Sequence, residues 1–176
     1  MNHFNPKLYW IETPTDGRLA ISARPRGGDW LEDEVEGWRE QGVDIVVSLL
    51  TASENEELGL KDEGQFSKAK GLRFVSFPIE DRNVPGSAAK LQELAARMGS
   101  EIQQGKNVAV HCRQGIGRSS LVSAAVLVFA GEDLDKALKS IRNARGLEVP
   151  ETSEQRRWLE QFAKTYESES VARRSR

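Results

Sequence analysis

VAVHCRQGIGRSS, residues 108–120, decides how this 176-residue chain is read. Val108 to Val110 form an apolar run that reads as a strand. His111 and Cys112, the single cysteine of the protein, follow it. Arg113, Gln114, Gly115, Ile116 and Gly117 make a glycine-punctuated loop. Arg118 and two serines then open an apolar stretch, Leu121 to Ala130, that reads as a helix. Glycines let the backbone curl until successive N–H groups face one hollow, an anion nest. The helix start adds unpaired N–H groups and the positive end of a dipole. Arg118 supplies a planar fork that matches two oxygens of a tetrahedral anion. A thiol on the floor of the hollow feels the same field and is expected to be ionised at neutral pH. Such a loop holds a phosphate dianion with a nucleophile beneath its phosphorus, the arrangement that in-line phosphoryl transfer requires.

Two blander readings compete. A lone cysteine among apolar residues is commonly a small buried hydrophobe. A glycine-rich turn before a helix also serves nucleotides, but no Lys-Ser or Lys-Thr pair follows these glycines and the G-x-G-x-x-G spacing is absent. His, Cys, Gly, Arg and Ser arriving together favour the chemical reading.

On these residues the chain resembles the cysteine-dependent protein tyrosine phosphatases, whose signature H-C-x-x-G-x-x-R-[S/T] stands here as His111, Cys112, Gly115, Arg118 and Ser119. The resemblance implies a phosphocysteine intermediate on Cys112. Phosphate would be bound by Arg118 and the amides of Arg113, Gln114, Gly115, Ile116 and Gly117. The Ser119 hydroxyl would stabilise the departing thiolate, and His111 would orient the loop and tune the thiol without acting as a general base. Such chemistry needs one carboxyl as acid and then base. Arg73 to Phe77 reads as a strand, and the loop PIEDRNVPGS after it resembles the Pro-x-x-Asp loop of dual-specificity members, which makes Asp81 the expected acid and Glu80 its rival. An acidic loop residue is otherwise a solvated charge. Arg82 beside it reads as solvent-facing, with recruitment of anionic substrates as the alternative.

Composition narrows the class. Twenty-five basic and 27 acidic side chains give a net charge of −2 and no signal for nucleic acid or a membrane surface. One cysteine excludes an intramolecular disulfide framework and leaves no second thiol to capture an oxidised Cys112. A thiol that must stay reduced points to the cytoplasm. The start lacks an apolar leader, and the Leu121–Ala130 run is too short to span a bilayer. With two histidines and one cysteine, neither a metal site nor a cofactor is expected. His3 is given no role.

Strands are expected at Leu8–Ile11, Leu19–Ser22, Asp44–Leu50, Arg73–Phe77 and Val108–Val110. Helices are expected over Trp30–Gln41 with Asp29 as cap, Gln65–Lys70, Ala88–Gln104 capped by Ser87, Ser119–Ala130, Leu134–Ala144 behind Asp133, and Ser153–Tyr166. Glu54 to Glu63 reads as a loose acidic stretch. Alternation predicts a single α/β domain, residues 1–166, with a mostly parallel sheet flanked by helices and the site at the strands' carboxyl ends. Residues 167–176 read as a disordered polar tail. Gln155 resembles the water-positioning glutamine of some relatives, but Thr152-Ser-Glu-Gln is also a capping box, the preferred reading. Arg142 and Arg145 read as a helix's solvated face.

The short gaps between elements match compact dual-specificity enzymes, and Gly146 to Thr152 is similar to small kinase-associated and bacterial members. The expected substrate is therefore a phosphorylated protein or peptide, carrying phosphotyrosine and also phosphoserine or phosphothreonine. A phosphoinositide or inositol-phosphate phosphatase is the alternative, disfavoured because Ile116 is apolar where those relatives carry a base. A non-catalytic phosphate-binding module and rhodanese-like or arsenate-reducing chemistry are the remaining readings. The intact Cys112, Arg118 and Asp81 set, and the lack of a partner cysteine, count against them.

Overall fold

A computed structural model describes residues 5–175, so His3 lies outside the described residues. In chain order the elements are Leu8–Ile11 (β1), Leu19–Ser22 (β2), Leu31–Glu40 (α1), Ile45–Ser48 (β3), Ala52–Glu57 (α2), Glu63–Ala69 (α3), Arg73–Ser76 (β4), Ala88–Gln103 (α4), Val108–His111 (β5), Arg118–Phe129 (α5), Leu134–Arg145 (α6) and Ser153–Arg174 (α7). The sheet runs β1-β2-β5-β3-β4, with β1 antiparallel to β2 and the other pairs parallel. The expected α/β architecture is what forms.

β5 lies in the centre. Val108 stands between Leu19 and Ile45, Val110 between Ile21 and Val47, and His111 between Ser22 and Ser48. Covered on both faces, the strand is buried along its whole length, its Val108–Val110 run apolar rather than alternating. One face packs Val108, Val110, Ile45 and Val47 against Leu91, Met98, Leu121 and Ala125 of α4 and α5. The other packs Val46 and Ala109 against Leu31, Val35 and Trp38 of α1. Each aliphatic side chain so buried contributes roughly 1.5–3 kcal/mol. α5 is buried almost along its whole length, which explains a sequence apolar on all sides.

Three expectations are corrected. Ala52–Glu57 is a helix, nucleated by a capping box in which Thr51 and Glu54 bond reciprocally, and not a loose stretch. Asp29 does not cap α1: it lies in a 3-10 turn, Gly28–Trp30, and the side chain of Trp30, the N-cap, makes no cap bond. α7 continues to Arg174, because residues 167–174 contain no glycine or proline to stop it. Ser87 and Asp133 do cap α4 and α6.

Candidate active site

The end of β5 delivers Cys112 to the floor of a hollow of about 170 Å³, lined by Asp81, Arg82, Gln114, Gly117, Arg118 and Glu151 around the sulfur. The Gly115 N–H donates to Cys112 Sγ at 3.3 Å, and Ser119 Oγ lies 3.3 Å from the same sulfur. Gly115 has φ +69, and a Cβ there would stand 2.9 Å from the Ser22 carbonyl oxygen. That turn therefore admits only glycine without strain. Outside the hollow, Arg145 Nε donates to the Gly115 carbonyl at 2.6 Å while its guanidinium lies 3.9 Å from the centre of the Tyr9 ring. The loop's shape is held from beneath by Ser22 and from behind by α6.

Arg118 is only 2 % exposed, so its charge must be answered inside the protein. Nη1 donates to Glu54 Oε2 and to the Ile79 carbonyl, both at 2.8 Å, and Nη2 donates to Glu54 Oε1 at 2.9 Å. Nη2 also pairs with Asp81 Oδ1 at 3.1 Å. Among the described residues nothing is bonded to Nε. The guanidinium is thus clamped on its outer edge and open toward the hollow through Nε and the Nη2 hydrogen that Asp81 now occupies. Burial pushes the Glu54 carboxyl up, but bonds from Arg118 and Thr51 outweigh it and hold the group below its ordinary value. Burial likewise opposes the charge on Arg118, and Glu54, Cys112 and Asp81 more than restore it.

Asp81 reaches the site from the loop after β4, with its side chain 54 % exposed. The Arg82 N–H donates to its Oδ1 at 2.9 Å. Arg82 itself takes φ 59, and its Nη1 pairs with Glu151 Oε1 at 3.2 Å across the mouth. Glu80, the rival acid, is not among the residues lining the hollow. Gln155 is buried and bonded at both ends of its amide: its Oε1 accepts from Thr152 N–H and its Nε2 donates to the Asn83 carbonyl, while its backbone N–H donates to Thr152 Oγ1. That is the capping box, extended into a tie between α7 and the Asp81 loop. Arg113 pairs with Glu57 at 3.0 Å on the rim.

Four residues of the site escape the sequence reading, one of them Glu151 on the mouth. Glu54 was masked by its acidic surroundings, although Thr51-x-x-Glu54 carries a readable capping signature. Glu63 accepts His111 Nε2 or donates to it at 2.7 Å, both side chains 1 % exposed, and no local pattern announces that pairing. Arg145, read as solvated, instead grips the loop; Arg142 pairs with Glu148 near the surface. Among the described residues no group of three or more His, Cys, Asp or Glu could hold a metal ion, and no helix is long and apolar enough to cross a membrane.

The family model described as polymorphic toxin system, DSP-PTPase phosphatase (Tc-R-P), matches residues 22–132, and the chain belongs to this dual-specificity phosphatase family. It is 32 % identical over 147 residues to protein tyrosine phosphatase domain-containing protein 1 of Mus musculus, a match covering 77 % of this chain and 19 % of that one. Against cyclin-dependent kinase inhibitor 3 of Rattus norvegicus the identity is 22 % over 134 residues, covering 75 % of this chain and 63 % of the relative. The chain therefore spans less than two thirds of the length of either relative. Among solved structures, a kinase-associated phosphatase with its catalytic-site cysteine changed to serine superposes with a TM-score of 0.83 at 19 % identity, covering 92 % of this chain and 96 % of that one. Tk-PTP in its active form gives 0.73 at 29 % identity, with 90 % and 97 % covered.

Proposed function

We propose that this protein hydrolyses phosphate esters on proteins, phosphotyrosine as well as phosphoserine and phosphothreonine, through a phosphocysteine on Cys112. One observation carries the reading. The Cys112 sulfur receives the Gly115 N–H and faces the Ser119 hydroxyl at the floor of a hollow closed by Arg118 and Asp81. A phosphate entering the hollow takes the loop amides of residues 113–117 and the open Nε and Nη2 hydrogens of Arg118, releasing Asp81 from the guanidinium. Sγ then attacks phosphorus in line as the bond to the leaving oxygen breaks, and the Asp81 carboxyl protonates that oxygen. In the second half Asp81 accepts a proton from water, the water oxygen bonds to phosphorus, and the sulfur leaves as a thiolate stabilised by the Gly115 amide and Ser119.

Protein substrates are favoured over inositol phosphates by the rim. Ile116 is apolar, and Arg113 is already neutralised by Glu57. A reduced thiol suits the cytoplasm, where we place the protein. The Cys112→Ser variant tests the reading. It is expected to lose all turnover of phosphotyrosyl peptides while still binding vanadate. Retained turnover, or a parent enzyme that strongly prefers inositol phosphates over peptides, contradicts it.

A further inference from the structure

Behind the loop, a buried acid with no role in the scheme above, Glu63, faces His111, the residue expected to tune the thiol. His111 Nε2 and Glu63 Oε1 are 2.7 Å apart, and the second carboxyl oxygen, Glu63 Oε2, has no hydrogen-bond partner among the described residues. Serines 48 and 67, the first beside His111 in the sheet and the second one turn along α3 from Glu63, leave their hydroxyls equally unpartnered. No other charged side chain among the described residues pairs with the acid, so His111 answers its charge alone. The other ring nitrogen, Nδ1, lies 3.4 Å from the Cys112 carbonyl oxygen. A carbonyl only accepts, so Nδ1 bears a proton. The face of the ring is covered by Trp38, stacked at 5.6 Å, a surface that attracts a cation.

We propose that Glu63 is a positioning residue that keeps His111 protonated on both ring nitrogens, and through it sustains the negative charge on the Cys112 sulfur. The inference rests on Cys112 being the nucleophile. With Nε2 bonded to a carboxylate, the imidazolium lies on the α1 side of the sheet against Trp38 and acts on the thiol through the backbone, holding the Cys112 carbonyl through Nδ1. Without the carboxylate a buried cation is left unpaired, so the ring gives up a proton and that charge disappears. The other charged groups around the sulfur are Arg118, answered by Glu54 and Asp81, and on the mouth the pair Arg82–Glu151 and the pair Arg113–Glu57. None of these touches His111.

Iodoacetamide alkylation of Cys112 across pH, in the parent and in Glu63→Gln, reads the effect without substrate. The variant is expected to move the alkylation midpoint up by about one pH unit, roughly a tenfold loss of reactivity below both midpoints. In a His111→Asn background the Glu63→Gln change is expected to add nothing. An unmoved midpoint, or the same displacement without His111, overturns the proposal. Because the chain has two histidines, nitrogen-15 spectra of histidine-labelled parent protein give a second test that needs no Glu63 variant. His111, assigned through His111→Asn, is expected to retain both ring protons at pH 7.5, and a singly protonated ring there overturns the proposal. If the parent thiol itself alkylates as sluggishly as a free thiol, the failure belongs to the nucleophile assignment. A reactive parent matched by an equally reactive Glu63→Gln refutes the Glu63 role alone.

Discussion

At the scale of single residues, Arg118 is the pivot. A buried guanidinium is tolerated because four acceptor contacts surround it, and three of them lie on the side away from the hollow. Glu54 thus fixes the plane of the Arg118 guanidinium, which on the proposed function is the plane in which it would meet phosphate. Its carboxyl is held below the ordinary value of 4.5, so the stability it contributes is fully present above that pH and is lost as the pH falls through the lowered folded-state value. Glu54→Gln is expected to destabilise the protein by ~3 kcal/mol at pH 7, since Arg118 is left partly unpaired. Denaturation followed from pH 7 to pH 3 should show the gap between parent and variant closing in acid. A gap of constant size would mean that the Glu54 charge is not what holds Arg118.

At the scale of elements, the Cys112 loop is a strand end and a helix start joined by a turn that several neighbours constrain. Gly115 shows how tight the joint is. Replacing it with alanine puts a Cβ-bearing residue in a left-handed conformation and drives its methyl toward the Ser22 carbonyl. Gly115→Ala should cost at least ~1–2 kcal/mol in chemical denaturation and displace the amide that bonds the sulfur; a fully stable variant with parental activity would contradict the loop geometry. What was legible in the sequence follows from the range of the interactions. The Cys112 loop, the caps at Ser87 and Asp133 and the apolar runs of β5 and α5 are local patterns that land where expected, and the segment after β4 brings Asp81 to the hollow. Glu54 to Arg118, Glu63 to His111 and Arg145 to Gly115 are pairings between distant segments, made by the sheet order β2-β5-β3 and by α6 folding back. Composition around Glu54 and Arg145 looks like solvated charge until topology brings a buried partner to each.

At the scale of the whole molecule, two apolar layers hold β5 rigid from both faces, and α7 closes the larger one. Its anchor is Phe162 in the core, Trp158 stacked on it at 5.4 Å, and Tyr166 against Phe129 at 4.2 Å. All three lie before residue 167, and the described side chains beyond it are exposed. We therefore propose that the catalytic domain ends near residue 166. Deleting residues 167–176 should change stability by less than about 0.5 kcal/mol and leave kcat/KM unchanged. A large loss in thermal denaturation would assign the distal turns of α7 a structural part. The central claim, that one buried sulfur carries the phosphoryl group, is tested most directly by acid-quenching the Asp81→Ala variant during turnover of an activated aryl phosphate. Without its base the second half-reaction stalls, so phosphate should accumulate on Cys112 toward one group per chain, found by mass spectrometry of the Cys112 peptide. Turnover with no covalent phosphate, or with the label on any other residue, would contradict the account.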